Sequence, residues 1–317
     1  MNPLSKPLIL DGGVGRELKR IGAPFRQPEW SALALMEAPE QVFKVHRSFI
    51  EAGAQVITTN NYAVVPYHIG TERFEQDGES LTALAGRLAR DAADAGASES
   101  TSPSTSPGNS ATVTSEKVWV GGSLPPLSGS YRPDLYNASV AAKAYPLIVS
   151  ALEPYVDIWQ AETMVSIAEA RAVATAVSHG DKPLWLAFTL KDEPELAEPC
   201  LRSGESLQAA IDFALEVNAE ALLFNCCLPE VVGQALAVTG SLRDQLGVNL
   251  QLGGYGNTFT PRGADAEANS NVAELRAEVS PEHYAAMAAE WRRSGATIIG
   301  GCCGIGPEHI AELARCL

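Results

Sequence analysis

"PEHYAAMAAEWRRSGATIIGGCCG", residues 281–304, runs from a helix start through a glycine turn into a strand and ends on two adjacent thiols. Pro281 suits the first position of a helix, where its missing N–H is not needed. Apolar residues then recur every three or four positions, the spacing of one helix face. Gly295 suits the helix end, and Ala296 leads directly into a short apolar, partly β-branched run. The same block occurs earlier as "PEQVFKVHRSFIEAGA" (39–54). Pro39 and Gly53 stand fourteen residues apart, as do Pro281 and Gly295, and each Gly-Ala feeds a strand. One helix–strand unit is used twice.

Eight such strand segments are legible. They are "PLILDGG" (7–13), "AQVITTNNY" (54–62), "VWVGGSLPP" (118–126), "VDIWQAETM" (156–164), "PLWLAFTL" (183–190), "ALLFNCC" (221–227), "NLQLGGYGN" (249–257) and "ATIIGGCCG" (296–304). Each is nearly continuous in apolar character before a small or polar end. Strands buried on both faces of a parallel sheet read this way. Eight of them alternating with helix-length stretches predict an α/β protein, a (β/α)8 TIM-type barrel, and 317 residues suit one such domain spanning 1–317. Residues 97–117, rich in Ser, Thr and Pro, predict a flexible low-complexity loop. A second polar stretch, 260–280, follows strand 7 and is expected near the barrel mouth.

The formal net charge of −15 argues against nucleic acid and against an anionic membrane surface, both of which require basic patches. No apolar stretch approaches the roughly 20 residues of a membrane span. The N-terminus reads as a strand and not as a signal peptide, so a cytoplasmic protein is expected. The partners expected are small molecules.

In a (β/α)8 barrel the active site lies at the C-terminal ends of the strands. The polar residues there are Asp11, then Thr58, Thr59 and Asn60, then Glu162 and Thr163, then Asn225, Cys226 and Cys227, then Asn257, then Cys302 and Cys303. A lone Cys-Cys pair is most simply two small buried hydrophobes. Two pairs at the ends of strands 6 and 8, separated by one strand, can converge. Gly300, Gly301 and Gly304 give the chain freedom to aim both Cys302 and Cys303 at one ion, and strand 6 supplies a third thiol from Cys226 or Cys227. Three thiolates without a fourth protein ligand suit a catalytic Zn²⁺ with an open position. So thiol-rich a site is a weak Lewis acid toward water and better suited to binding a soft thiol and lowering its pKa. Asp11 and Glu162 at the same face can hold an ammonium group. The residues therefore predict alkyl transfer to a thiol that also carries an amine. A Schiff-base lyase using Lys191 is a poorer reading, because Asp192 and Glu193 keep that lysine charged. A zinc or redox-sensing barrel without catalysis is the other alternative.

The sequence resembles the zinc-dependent homocysteine S-methyltransferase family over nearly its whole length. "LILDGGVGRELKRIG" looks like the family's DGG-x-G-x-EL opening, and "HRSFIEAGAQVITTNNY" is similar to its second block. "WQAETM" is similar to its strand-4 ET block, "LLFNCCLPE" to N-C-x-x-P, and "IIGGCCG" to GGCCG. The resemblance implies zinc on Cys226, Cys302 and Cys303, with Cys227 as an extra thiol. It implies Asp11 and Glu162 as the carboxylates that hold the substrate amine, Asn225 and Asn257 as polar residues near the site, and Thr59 as a pocket residue. The implied reaction is methyl transfer from S-methylmethionine or S-adenosylmethionine to L-homocysteine, giving methionine. Betaine as donor, or another thiol or selenol as acceptor, are the alternatives. The chain departs from the family in "GGYGNTFTPRGAD" after strand 7 and in "TTNNYAVVPYHIG" after strand 2, both where a donor or acceptor is selected.

Overall fold

Nearly continuous apolar strands need cover on both faces, and the chain provides it by closing the sheet on itself and wrapping it in helices. The computed structural model describes residues 6–99, 117–196, 198–263 and 274–317. Its strands are β1 (Leu8–Ile9), β2 (Val56–Thr58), β3 (Trp119–Leu124), β4 (Ile158–Met164), β5 (Leu184–Phe188), β6 (Ala221–Asn225), β7 (Gln251–Tyr255) and β8 (Ala296–Ile299). All neighbours pair in parallel, in the order β1-β8-β7-β6-β5-β4-β3-β2. A bridge between Leu10 and Val56 joins the two ends, and the Asp11 amide donates to the Val56 carbonyl at 2.9 Å. The result is the (β/α)8 barrel expected from the sequence.

The helices among the described residues are α1 (Val14–Arg20), α2 (Ser31–Glu37), α3 (Pro39–Glu51), α4 (Pro66–Ile69), α5 (Thr71–Glu99), α6 (Ala138–Leu152), α7 (Ile167–Val177), α8 (Leu207–Glu216), α9 (Pro229–Leu246), α10 (Pro281–Arg293) and α11 (Pro307–Cys316). The repeated unit is present as read: α3 and α10 begin on their prolines, and Gly53 and Gly295 turn the chain at φ of +105° and +95°. Helix α5 runs to Glu99, so the first residues of the 97–117 stretch continue a helix instead of opening a loop. Alanine and glutamate, both good helix formers, stand there. Residues 100–116 lie outside the described residues, as do 264–273 in the polar stretch after β7. No helix among the described residues is long and apolar enough to cross a membrane.

The pleat divides the apolar side chains into two cores. Leu10, Val56, Ile158, Trp185, Leu223 and Ile298 fill the barrel interior. Leu222, Phe224, Leu252 and Ile299 face outward into the larger core beneath the helices. With a period of two, the inward row on β4 ends at Glu162, on β6 at Asn225 and on β7 at Tyr255. The same alternation that builds the core thus places the polar layer at the mouth.

Candidate active site

The loop after β8 meets the turn after β1 and the end of β7. Gly301 donates its amide to the Asp11 carbonyl and Cys302 to the Gly256 carbonyl, both at 2.9 Å. The Gly13 amide donates to the Ile305 carbonyl at 2.9 Å, and a Cβ on Gly13 would stand 2.6 Å from the Cys302 carbonyl oxygen. The thiol turn therefore packs against the β1–α1 turn with no room for a side chain, which is why a glycine stands at position 13.

The sulfurs of Cys226, Cys302 and Cys303 lie within 4.8 Å of one another. Sulfurs that share a tetrahedral ion at about 2.3 Å stand roughly 3.8 Å apart, so the cluster is of a size to hold one metal ion. Cys227 is fully buried in the outer core and takes no part in the cluster, which assigns the strand-6 thiol to Cys226. A hydrogen bond from Cys302 pulls the Cys226 thiol down, but its bond to Cys303 and burial win, pushing it up to about 12. Cys302 is raised by its hydrogen bonds to Cys226 and Cys303 and by burial. Cys303, which receives those bonds and faces the Arg16 charge, is held well below the ordinary thiol value. Crowded thiols resist losing further protons, and a bound cation relieves that repulsion.

Cys226 has a left-handed backbone, φ +53°, as does Thr163 at +58°, next to the β4 irregularity between Ala161 and Met164. A β-branched residue in that region stores on the order of 1–3 kcal/mol of strain. Asn225 holds it there: its side-chain oxygen accepts from the Thr163 amide at 2.8 Å, and its side-chain nitrogen donates to the Thr163 hydroxyl at 2.9 Å. Asn225 is fully buried and does not line the pocket. Asn257 also lies outside the lining. Its amide donates to the Cys227 carbonyl at 3.0 Å, and its side-chain oxygen accepts from the Phe259 amide at 3.0 Å.

A pocket of about 170 Å³ opens over the thiols, with Asp11, Thr59 and Glu162 in its wall. Asp11 accepts from the Thr58 amide at 2.8 Å and from the Thr58 hydroxyl at 3.1 Å. Burial still raises its carboxyl to about 8, helped by the nearby Glu162 charge. Burial likewise raises Glu162 to about 7 against a hydrogen bond from the Ser123 hydroxyl. The Thr59 hydroxyl donates to the Asn61 side-chain oxygen at 2.6 Å and accepts from the Ser123 amide at 2.9 Å, so it braces the strand-2 loop beside the pocket. Lys191 does not line the pocket.

Sequence reasoning missed several pocket residues. Tyr131, from the loop after β3, has its hydroxyl 3.0 Å from the Cys226 sulfur. Arg16 reaches in from α1, and the Tyr62 hydroxyl lies 2.6 Å from that of Ser130. Tyr255 carried a signal, since it ends the inward row of β7. Its buried hydroxyl lines the pocket without a hydrogen-bond partner among the described residues. An unmade buried hydrogen bond costs about 1–3 kcal/mol. Tyr255→Phe is therefore expected to leave the ligand-free protein as stable or slightly more so, while weakening binding of a polar ligand several-fold. Thermal unfolding with and without ligand checks this; a variant destabilised in the ligand-free state and unchanged in binding contradicts it.

Parallel eight-stranded closure with catalytic-type residues at the C-terminal mouth defines a barrel enzyme built around a three-thiol centre. Residues 8–317 match the homocysteine S-methyltransferase family, and the chain belongs to that family of methyltransferases. A homocysteine S-methyltransferase of Escherichia coli (strain K12) is 28% identical, over 96% of this chain and 94% of its own length. A selenocysteine methyltransferase of Astragalus bisulcatus is 24% identical, over 100% of this chain and 94% of its own length. The metallated crystal structure of the E. coli homocysteine methyltransferase MmuM superposes with a TM-score of 0.76 at 26% identity, covering 99% of both chains.

Proposed function

We propose that the protein transfers a methyl group from a sulfonium donor, S-methylmethionine or S-adenosylmethionine, to the thiol of L-homocysteine, forming methionine. The observation that carries this reading is the convergence of three cysteine sulfurs within 4.8 Å in a pocket that also contains two buried carboxylates. The donor set fits Zn²⁺, a borderline-soft ion, and Cys226, Cys302 and Cys303 would hold it. When bound, zinc lowers the pKa of a substrate thiol and so makes thiolate available near neutral pH.

The chain's own residues bind and orient. Asp11 and Glu162 receive the ammonium group of the amino acid, with Thr59 bracing the adjacent wall. Asn225 and Asn257 act through the loops they hold. Phe25, Trp30 and Phe259 line the pocket and exclude water from the reacting atoms. The acceptor thiol loses its proton to solvent. Its sulfur then attacks the methyl carbon in line, the donor's carbon–sulfur bond breaks, and the electron pair returns to the donor sulfur. The leaving group is a neutral thioether and needs no general acid. Most of the acceleration comes from positioning. Reduced thiols of this kind fit a cytoplasmic setting.

Reduced, zinc-loaded protein given homocysteine and either donor is expected to form methionine. No product from either donor, in protein shown to hold zinc, rejects the reading. The selenocysteine methyltransferase relative favours a second acceptor, a selenol. Selenohomocysteine or selenocysteine in the same assay tests it.

A further inference from the structure

Tyr131 is held in a conformation that its own backbone disfavours. It lies in the loop after β3 with φ at +71°, a region that a bulky residue occupies only under strain. Two guanidinium groups lie over its buried ring, with the Arg202 carbon 5.2 Å and the Arg262 carbon 5.6 Å from the ring centre. Arg202 comes from the loop between β5 and α8, and Arg262 from the loop after β7. Those two loops are tied together. The Arg202 side chain donates to the Gly263 carbonyl, and the Arg262 backbone amide donates to the Asp192 carboxylate at 3.0 Å. The other Asp192 oxygen accepts from the Leu228 amide at 2.9 Å, two residues past Cys226. Loops that follow β3, β5, β6 and β7 thus fix one phenol against one thiol, with the Tyr131 hydroxyl 3.0 Å from the Cys226 sulfur.

Packing alone does not call for that hydroxyl. A phenylalanine ring would fill the same space and lie under the same two guanidiniums. The hydroxyl matters once Cys226 holds a metal. A metal-bound thiolate has no proton to give, so in that state the phenol donates and the sulfur accepts. A hydrogen bond to a ligand sulfur draws electron density from it and tunes the metal beyond. Three thiolates leave an ion electron-rich and weak in its pull on a further thiol. A donor aimed at one of them restores part of that pull.

We propose that Tyr131 is a positioning residue for the thiol centre: clamped by Arg202 and Arg262, it donates its hydroxyl to the Cys226 thiolate and so strengthens the pull of the bound metal on the substrate thiol. This role rests on the reading that Cys226, Cys302 and Cys303 hold a metal ion. It is independent of which sulfonium supplies the methyl group.

Cobalt(II) in place of zinc tests this, because its sulfur-to-metal charge-transfer absorption in the near ultraviolet follows the energy of the sulfur electrons. Tyr131→Phe keeps the ring and removes only the hydroxyl. It is expected to bind cobalt as fully as the wild type, with the charge-transfer band moved to longer wavelength. Turnover of the zinc form is expected to fall by about 10- to 100-fold, the usual effect of losing such a partner. Arg202→Gln keeps the hydroxyl but loosens the clamp, and is expected to move the band the same way by less. An unmoved band in Tyr131→Phe overturns the proposal even if turnover falls, since a purely structural role would slow turnover without touching the sulfur. If that variant does not fold, an unmoved band in Arg202→Gln overturns it instead. Loss of cobalt from folded Tyr131→Phe also overturns it, because the phenol then supports the metal and not the sulfur. Wild-type protein without any sulfur-to-cobalt absorption rejects the metal centre and the role of Tyr131 together, whereas a wild-type band that the variants leave unmoved rejects the role of Tyr131 alone.

Discussion

Cys302→Ser is expected to lose the metal and turnover together while keeping the fold. The three sulfurs converge on one point, and a serine hydroxyl does not ionise to replace a thiolate. Zinc bound by four protein ligands is worth about 10–16 kcal/mol, so one ligand contributes roughly 3–4 kcal/mol, or about 10²–10³ in affinity. Turnover should fall at least as far. The side chain is only half-buried and packs against the barrel-interior core without belonging to it, so the melting temperature in chelator should fall only slightly. Cys227→Ala supplies the contrast. That thiol is fully buried beneath the helices, so its loss should lower stability and leave metal content intact. Metal analysis and activity on both variants decide the matter. A Cys302→Ser protein with full metal and full activity removes the proposed centre.

Asp11→Asn is expected to raise the KM for homocysteine by about 30- to 5,000-fold, the cost of truncating one side of a buried charge pair at roughly 2–5 kcal/mol. The pH dependence is equally diagnostic. Burial lifts Asp11 to about 8 and Glu162 to about 7, so near pH 6 both are mainly protonated in the free protein. An ammonium group favours their ionised forms, so binding releases protons, and affinity rises as pH increases through 7 to 8. Each proton released contributes about a tenfold change per pH unit. The variant has one fewer proton to release and should show a shallower rise. KM measured from pH 6 to 8.5 tests both statements, and a profile identical in wild type and variant contradicts the role given to Asp11.

Much of this was legible before the structure. The eight apolar runs dictated buried parallel strands, and the matched prolines and glycines of residues 39–54 and 281–296 marked the repeating unit, because these depend on local backbone chemistry. Strand ends also announced Asp11, Glu162, Cys226, Cys302 and Cys303, since barrel topology sends every strand end to one face. Less legible was what a polar side chain does once there. Asn225 reads as a pocket residue, yet its two hydrogen bonds go to Thr163, whose left-handed backbone no sequence pattern reveals.

The sequence by itself determined the barrel, its mouth and the thiols that converge there, through periodicity and through residues at strand ends. Tertiary structure alone decided which side chains from distant loops join the pocket. Tyr131 meets Cys226 across 95 residues of chain, and Arg16 joins the same pocket wall from α1. Such pairings follow from how distant loops pack at the mouth, a contact between surfaces that leaves no period in either segment.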